Sequence, residues 1–349
     1  MSAEKDTLII GGAQGIQMVS SFLRAKIISV LLGSSGFGIY SILISAIMLF
    51  QQVISLGINQ AAVKELSESA SDNESQDSLT TLKSHFLRIS SRLSILGGIL
   101  MAVCSGFLSL FFFDDYKYSL YFVAVSIGLV FYSFSQSYNA ILQSVRRLKV
   151  YAKISVYTSI GTLASAAIFV YLFDTWGLIV SIVCGFGINC YLGYQAVKPR
   201  ERKIVSQLKE SISRLRPVLE RGFFIMLGTI FLPLFTLLLN GIIGRSSIEK
   251  VGLFQASASI ISQGLVIISM ILATEFYPRI CAVSDRDQLR KGFNDELRLL
   301  LVILMPVQLG VIWMAPLIVT ILYTDSFFLV PQLIRIMCLS LPFRFLWMI

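Results

Sequence analysis

Runs of about twenty apolar residues recur along this chain, each long enough to cross a bilayer as a helix. Ten can be marked, at roughly 7–32, 37–63, 86–113, 117–145, 151–173, 175–196, 218–243, 251–277, 297–322 and 327–349. Of the 349 residues 55% are hydrophobic and only 14% charged, and the mean hydropathy is +0.77. A soluble domain carries about 25% charged residues, and a soluble fold would have to hide nearly all of this sequence from water. An ordinary cytosolic enzyme, a secreted disulfide scaffold and a disordered protein are excluded. The expected class is an all-α, polytopic membrane protein of about ten transmembrane helices.

The few reactive side chains point the same way. Cys104, Cys184, Cys190, Cys281 and Cys338 are scattered through apolar runs without paired spacing, as small buried hydrophobes rather than disulfides or zinc ligands. His85 is the only histidine and falls in a polar stretch expected to be a loop, which removes histidine-based metal or triad chemistry. No metal or cofactor is expected. The first run is flanked by charges and lacks a small-residue cleavage site, so it reads as a retained span.

The connections alternate in charge. Those at 33–38, 114–117, 174–176, 245–250 and 323–326 are short, with Lys117, Arg245 and Lys250 as their cations. The others hold most of the 29 Lys and Arg: Lys64, Lys83, Arg88 and Arg92, then Arg146, Arg147, Lys149 and Lys153, then the 198–221 and 279–298 segments. The positive-inside rule puts this cation-rich side, and the N-terminus, in the cytoplasm. The +9 net charge is thus a topology signal and not a nucleic-acid patch. In the longest inner connection Ile204, Leu208, Ile212 and Leu215 recur at helical spacing among Arg200, Arg202, Lys203, Lys209 and Arg214. That pattern reads as a basic amphipathic helix in the headgroup plane; a solvated charged linker is the alternative.

The chain also repeats itself. Leu32-Gly33-Ser34-Ser35-Gly36-Phe37-Gly38-Ile39-Tyr40 joins spans one and two, and Ile243-Gly244 followed by Val251-Gly252-Leu253-Phe254 joins spans seven and eight in the same order. Span three runs from Phe86 and Arg88 to Phe112-Phe113-Asp114, span nine from Phe293 and Arg298 to Leu322-Tyr323-Thr324-Asp325. Two pseudo-repeated lobes follow: an N-terminal six-helix lobe at 1–197, the linker at 198–221 and a C-terminal lobe at 222–349. On this reading the second lobe has four helices, so the arrangement is 6 + 4 and the second lobe reads as incomplete. Internal repeats of this sort belong to transporters that rock one half against the other about a midplane site.

Polar stripes mark helix faces turned to protein or water. Gln14, Gln17, Ser21 and Arg24 share one face of span one; Ser41, Ser45, Gln52, Ser55 and Asn59 one face of span two. Tyr132, Gln136, Asn139 and Gln143 do so on span four, Tyr151, Ser155, Thr158 and Thr162 on span five, and Gln255, Ser259 and Ser262 on span eight. Interhelical glue suits the Ser and Thr residues; a cavity lining suits the bulkier amides and Arg24. Arginine at mid-membrane costs about 2.5–3.5 kcal/mol even on translocon scales, so Arg24 is expected to have a purpose. Arg335, beside Gln332 in span ten, is a second candidate, whereas Lys26 is expected to snorkel and Arg344 to anchor at an interface. No carboxylate lies at mid-span, and a cationic cavity without acids suits a phosphate-bearing cargo. Pro233, Pro306 and Pro342 interrupt spans seven, nine and ten, where kinks are expected.

The pattern Leu31-Leu32-Gly33…Phe37-Gly38-Ile39-Tyr40…Leu56-Gly57-Ile58-Asn59-Gln60-Ala61…Lys64-Glu65 resembles polysaccharide-repeat-unit (O-antigen) flippases of the multidrug/oligosaccharidyl-lipid/polysaccharide (MOP) exporter superfamily. Val251-Gly252-Leu253-Phe254-Gln255-Ala256…Thr274-Glu275-Phe276-Tyr277-Pro278-Arg279, Pro306, Ala315-Pro316-Leu317-Ile318 and Leu322-Tyr323 strengthen it. The resemblance implies two six-helix lobes about a cationic cavity, in a bacterial inner membrane, moving an undecaprenyl-pyrophosphate-linked oligosaccharide by alternating access without covalent chemistry. Its cationic lumen maps onto Arg24 and onto Arg335. Members have at least twelve spans, from which this chain departs. The implied partners are the polyprenyl-pyrophosphate-linked oligosaccharide, membrane lipids and other polysaccharide-assembly proteins. A peptidoglycan-precursor flippase or a multidrug exporter of the same superfamily is the alternative, though cation antiport usually needs the embedded acids that the mid-spans lack. A polytopic polysaccharide polymerase would need a sizeable outer loop, and the outer connections are short.

Overall fold

The computed structural model describes the backbone of residues 2–71, 76–197, 208–281 and 286–341, and the side chains of 11–67, 80–197, 215–264, 302 and 305–341. Among these residues the fold is helical, with no strand: α1 (Ser2–Ser55), α2 (Ile58–Ser71), α3 (Gln76–Val103), α4 (Ser105–Phe113), α5 (Ser119–Ser144), α6 (Leu148–Val197), α7 (Leu208–Thr229), α8 (Phe231–Gly244), α9 (Ile248–Cys281), α10 (Arg286–Leu322) and α11 (Val330–Cys338). Hydrocarbon offers no partner to a free N–H or C=O, so long uninterrupted helices are the form such a sequence must take.

Two helices are far longer than a bilayer needs. As a straight rod a 50-residue helix would reach about 75 Å across a hydrocarbon core of about 30 Å. Instead α1 breaks at Gly33 (φ 64, ψ −164) and α6 at Asp174 (φ 48, ψ −124), and each folds back on itself. In α6 a Cβ on Gly177 would lie 1.7 Å from the Phe169 carbonyl oxygen, and one on Gly185 would lie 2.4 Å from Thr162 Cγ2. In α1 the Arg24 guanidinium carbon is 5.6 Å from the Tyr40 ring centroid, where a straight helix would separate them by about 24 Å. Both hairpin turns fall at expected connections of the cation-poor side. Glycine adopts a positive φ without steric cost, which suits Gly33 to a reversal made in one residue.

Among the described residues five helical stretches are long and apolar enough to span, 11–55, 80–103, 116–144, 148–197 and 305–322; a bent pair, 215–229 with 231–244, adds one more. With two crossings in each hairpin, this covers eight of the ten expected runs. The remaining two, at 251–277 and 327–349, extend beyond the described side chains. The 42° bend of the pair falls just before Pro233, which has no N–H to give the Thr229 carbonyl and whose ring crowds it. Pro306 and Pro316 lie inside α10 without a helix break, and Pro342 and Arg344 lie outside the described residues.

At the cation-rich end, Ile58, Ala61, Ala62 and Leu66 of α2 bury themselves with Phe86 and Ile89 of α3, Ala140 and Ile141 of α5, and Leu215 and Val218 of α7. Leu215, expected to face lipid headgroups, is instead 2% exposed within this layer. The linker residues 198–207 lie outside the described residues, and α7 starts at Leu208 and continues towards the bilayer. Arg221 pairs with Glu65 at 3.0 Å, tying α7 to α2. His85, expected in a loop, is helical and 2% exposed, because the polar stretch around it is the first turns of α3.

The segments paired by the internal repeat meet in space. A Cβ on Gly38 would sit 2.2 Å from the Ile248 carbonyl oxygen and 3.2 Å from Gly252 N; one on Gly252 would sit 1.9 Å from the Ser34 oxygen and 3.1 Å from Gly38 N. Ser34 precedes Gly38 by four residues, as Ile248 precedes Gly252, so the crossing is reciprocal, as across a two-fold axis. Ser34 Oγ donates to Glu249 Oε1 at 3.0 Å beside it, and Lys26 Nζ, expected to snorkel, donates to the Tyr323 carbonyl at 2.9 Å. At the opposite end Gly57 (φ 65) and Gly222 are pressed together in the same backbone-to-backbone way. Large apolar side chains point outward along the helices: Trp313 is 82% exposed and Phe224 73%. That surface suits acyl chains and not water.

A branched side chain at the crossing must push two backbones apart, so Gly38→Val and Gly252→Val are each expected to cost about 1–3 kcal/mol. The double variant should cost less than their sum, since both open one gap. Thermal unfolding in detergent measures this, with Gly228→Ala, whose Cβ meets nothing within 4 Å, as the neutral control.

Candidate functional site

Arg24 lies nine residues before the Gly33 turn, about 13 Å along the helix from that end and therefore near mid-bilayer. The polar stripe of the first arm of α1 faces a cavity of about 360 Å³. Gln14, Gln17, Ser20, Ser21 and Arg24 line it with Met18, and so do Ser159 and Thr162 from the first arm of α6 and Gln263 from α9. Eight of these nine residues belong to α1 and α6, and Gln263 brings α9 to the same wall. Gln14 and Arg24 are ten residues apart, so the lining extends about 15 Å from mid-depth towards the cation-rich end. Arg24 also lines two smaller cavities, of about 120 and 30 Å³, both bounded by Tyr40. No carboxylate pairs with Arg24 among the described residues; its contact is the face of the Tyr40 ring, 5.6 Å away. The Arg24 guanidinium and the amides of Gln14 and Gln17 can donate to an oxyanion and neighbouring hydroxyl groups, whereas Ser159 and Thr162 donate to the backbone of their own helix and Gln263 Nε2 donates across the cavity to Ser21 Oγ at 3.5 Å.

The structure brings Gln14, Gln17 and Arg24 together and places the other expected residues elsewhere. Gln52 donates to Thr229 Oγ1. Asn59 Oδ1 accepts from Ser137 Oγ at 3.3 Å, in a ladder of serines that joins α3 to α5 through Ser94 and Ser133 at 2.6 Å and through Ser90 and Ser137. Gln255 Nε2 donates to Asn240 Oδ1 at 2.7 Å, and Asn240 Nδ2 donates to Ser45 Oγ at 3.1 Å, a chain that ties α9 and α8 to α1. Gln136 lies beside Tyr132, Asn139 is buried within the bundle, and Gln143 is exposed near the cation-rich end. Arg335 is exposed on α11 and lines none of the three cavities. Gln263, Ser159 and Tyr40 belong to the site without having been singled out for it. For Gln263 a signal existed: it follows Ser259 by one helical turn and Gln255 by two, on the same face of α9.

Helical hairpins packed about a polar, cation-bearing cavity define a multi-pass membrane protein of the transporter type. The family model for polysaccharide biosynthesis protein matches residues 27–330, and the chain belongs to that family. No curated protein sequence matches it. Among solved structures, a multidrug resistance MATE family transporter of the MOP superfamily in an inward-facing conformation is similar, with a TM-score of 0.71 at 14% identity over 96% of this chain and 80% of that one. The lipid II flippase MurJ in an inward closed conformation is similar, with 0.73 at 15% identity over 96% and 73%. A MOP superfamily transporter from Pyrococcus furiosus Vc1 (DSM3638) gives 0.64 at 16% identity over 96% and 75%. The fold is that of MOP superfamily transporters.

The two amide populations should separate on mutation. Asn240→Ala removes the acceptor of Gln255 and the donor to Ser45 in a fully buried position, and should lower stability by about 1–2 kcal/mol. Gln17→Ala, on the cavity wall, should leave the unfolding temperature unchanged.

Proposed function

We propose that the chain is a flippase that moves an undecaprenyl-pyrophosphate-linked oligosaccharide, an O-antigen or other surface polysaccharide repeat unit, across the bacterial inner membrane by alternating access. The observation that carries this reading is Arg24: a guanidinium at mid-depth, unpaired with any acid among the described residues, on the wall of a cavity otherwise lined by amides and hydroxyls. Guanidinium presents a fork of N–H donors that matches phosphate oxygens two at a time. Uncharged amides hydrogen-bond sugar hydroxyls without selecting one glycan. The polyprenyl chain would lie against the apolar outer surface. Membership of a polysaccharide biosynthesis family supports a saccharide cargo, and the similarity to a lipid II flippase supports a lipid-linked one.

In this reading residues 1–197 and 222–349 are the two lobes that rock, joined by the 198–221 linker. The cation-rich end and the N-terminus face the cytoplasm. The cavity extends from mid-depth towards that end, while Gly38–Gly252, Ser34–Glu249 and Lys26–Tyr323 close the other. This is the arrangement a carrier needs to load cargo from the inner leaflet. No covalent step is involved, and other polysaccharide-assembly proteins are the expected neighbours.

Complementation of a flippase-deficient strain tests the reading. Arg24→Ala is expected to abolish surface polysaccharide at normal expression, and Arg24→Lys to restore only part of it, because an ammonium offers a point charge without the fork. Normal polysaccharide from well-expressed Arg24→Ala protein would remove the cation, and with it this function.

A further inference from the structure

Tyr40 lies on the returning arm of the first hairpin, two residues beyond the Gly38 crossing, with its ring under the Arg24 guanidinium. The ring is fixed from behind. Phe37, 4% exposed, lies 6.1 Å from it and meets Tyr323 at 5.7 Å and 90° and Phe327 at 6.0 Å and 87°. An aromatic face attracts a cation through its quadrupole, most strongly away from water. It offers no lone pair to the guanidinium N–H groups, so the ring stabilises the charge while leaving the donor edge free. A carboxylate in the same place would stabilise the charge and occupy the fork.

We infer that Tyr40 is a positioning residue: its π face holds Arg24 in mid-bilayer so that the N–H edge is presented to the cavity, where a lipid-linked diphosphate binds. The inference rests on the proposed cargo class and adds a residue that the stripe of α1 does not contain. It makes affinity for the anion depend on the electron density of the ring at position 40 and not on its bulk alone. It also places the residue that orients the cation within one turn of the crossing between the two halves.

Ring fluorination tests this, because it drains the π face stepwise while nearly preserving shape. The full-length protein in nanodiscs carries phenylalanine, mono-, di- or trifluorophenylalanine at position 40, with farnesyl diphosphate as the probe. Tyr40→Phe should bind like the parent, and affinity should then fall with each fluorine, by about five- to thirty-fold over the series. Tyr40→Leu should lose at least as much. Inorganic pyrophosphate showing the same stepwise loss would support the diphosphate as the recognised group; farnesol showing it would overturn the inference. A flat series while Arg24→Ala loses the probe would overturn the role of Tyr40 and leave the cargo reading standing. Undiminished binding of farnesyl diphosphate by Arg24→Ala would overturn both.

Discussion

Water is missing from the hydrocarbon core, and every feature of this fold answers to that. A backbone group without a partner costs several kcal/mol there, so the chain crosses as continuous helix and reverses within single residues. Gly33 and Asp174 turn the two longest helices into hairpins with almost no residues outside the hydrogen-bonding ladder. The same absence makes polar side chains consequential. Each must find a partner or turn to a wet space, and where it turns defines the site.

Close approach of the two halves depends on glycine. With no large hydrophobic gain from hiding one apolar helix against another in lipid, association relies on contact distance, which small residues permit. Gly38 and Gly252 touch reciprocally, each against the carbonyl four residues before the other. That is the geometry expected when two equivalent segments of a repeat face each other, and it explains why the repeated motif is glycine-bearing at this point. Gly57 and Gly222 make the second approach, beneath a layer of α2, α3, α5 and α7 side chains that is packed like a soluble core.

Much of this was legible in the residues, and the shortfall has a physical cause. Apolar run length placed short connections at 33–38 and 174–176, and the two longest helices reverse there, at Gly33 and Asp174. Helical periodicity identified the face of α1 that carries Gln14, Gln17, Ser21 and Arg24, because a polar stripe on a membrane helix cannot face acyl chains. Periodicity gives a face but not its neighbour, and so it grouped Gln52, Asn59 and Gln255 with the lining. Their partners are Thr229, Ser137 and Asn240, 177, 78 and 15 residues away. Only tertiary packing distinguishes an amide that bridges two helices from one that faces a cavity. His85 misled for a simpler reason: polarity marked a loop, but the helix outruns the bilayer and its first turns pack against α2 and α7.

The embedded cations show how position decides role. Lys26 is only two residues beyond Arg24, yet the 100° step of the helix turns it away from the cavity and onto the Tyr323 carbonyl. Its ammonium is committed to a structural contact between the halves. Arg24 is stabilised by a π face, which satisfies charge without consuming hydrogen bonds. For a group that costs about 2.5–3.5 kcal/mol to place at mid-membrane, a carbonyl, a carboxylate and a ring all offset the cost. Only the ring leaves the donors available, and an oxyanion arriving in the cavity can then take up all of that remaining capacity.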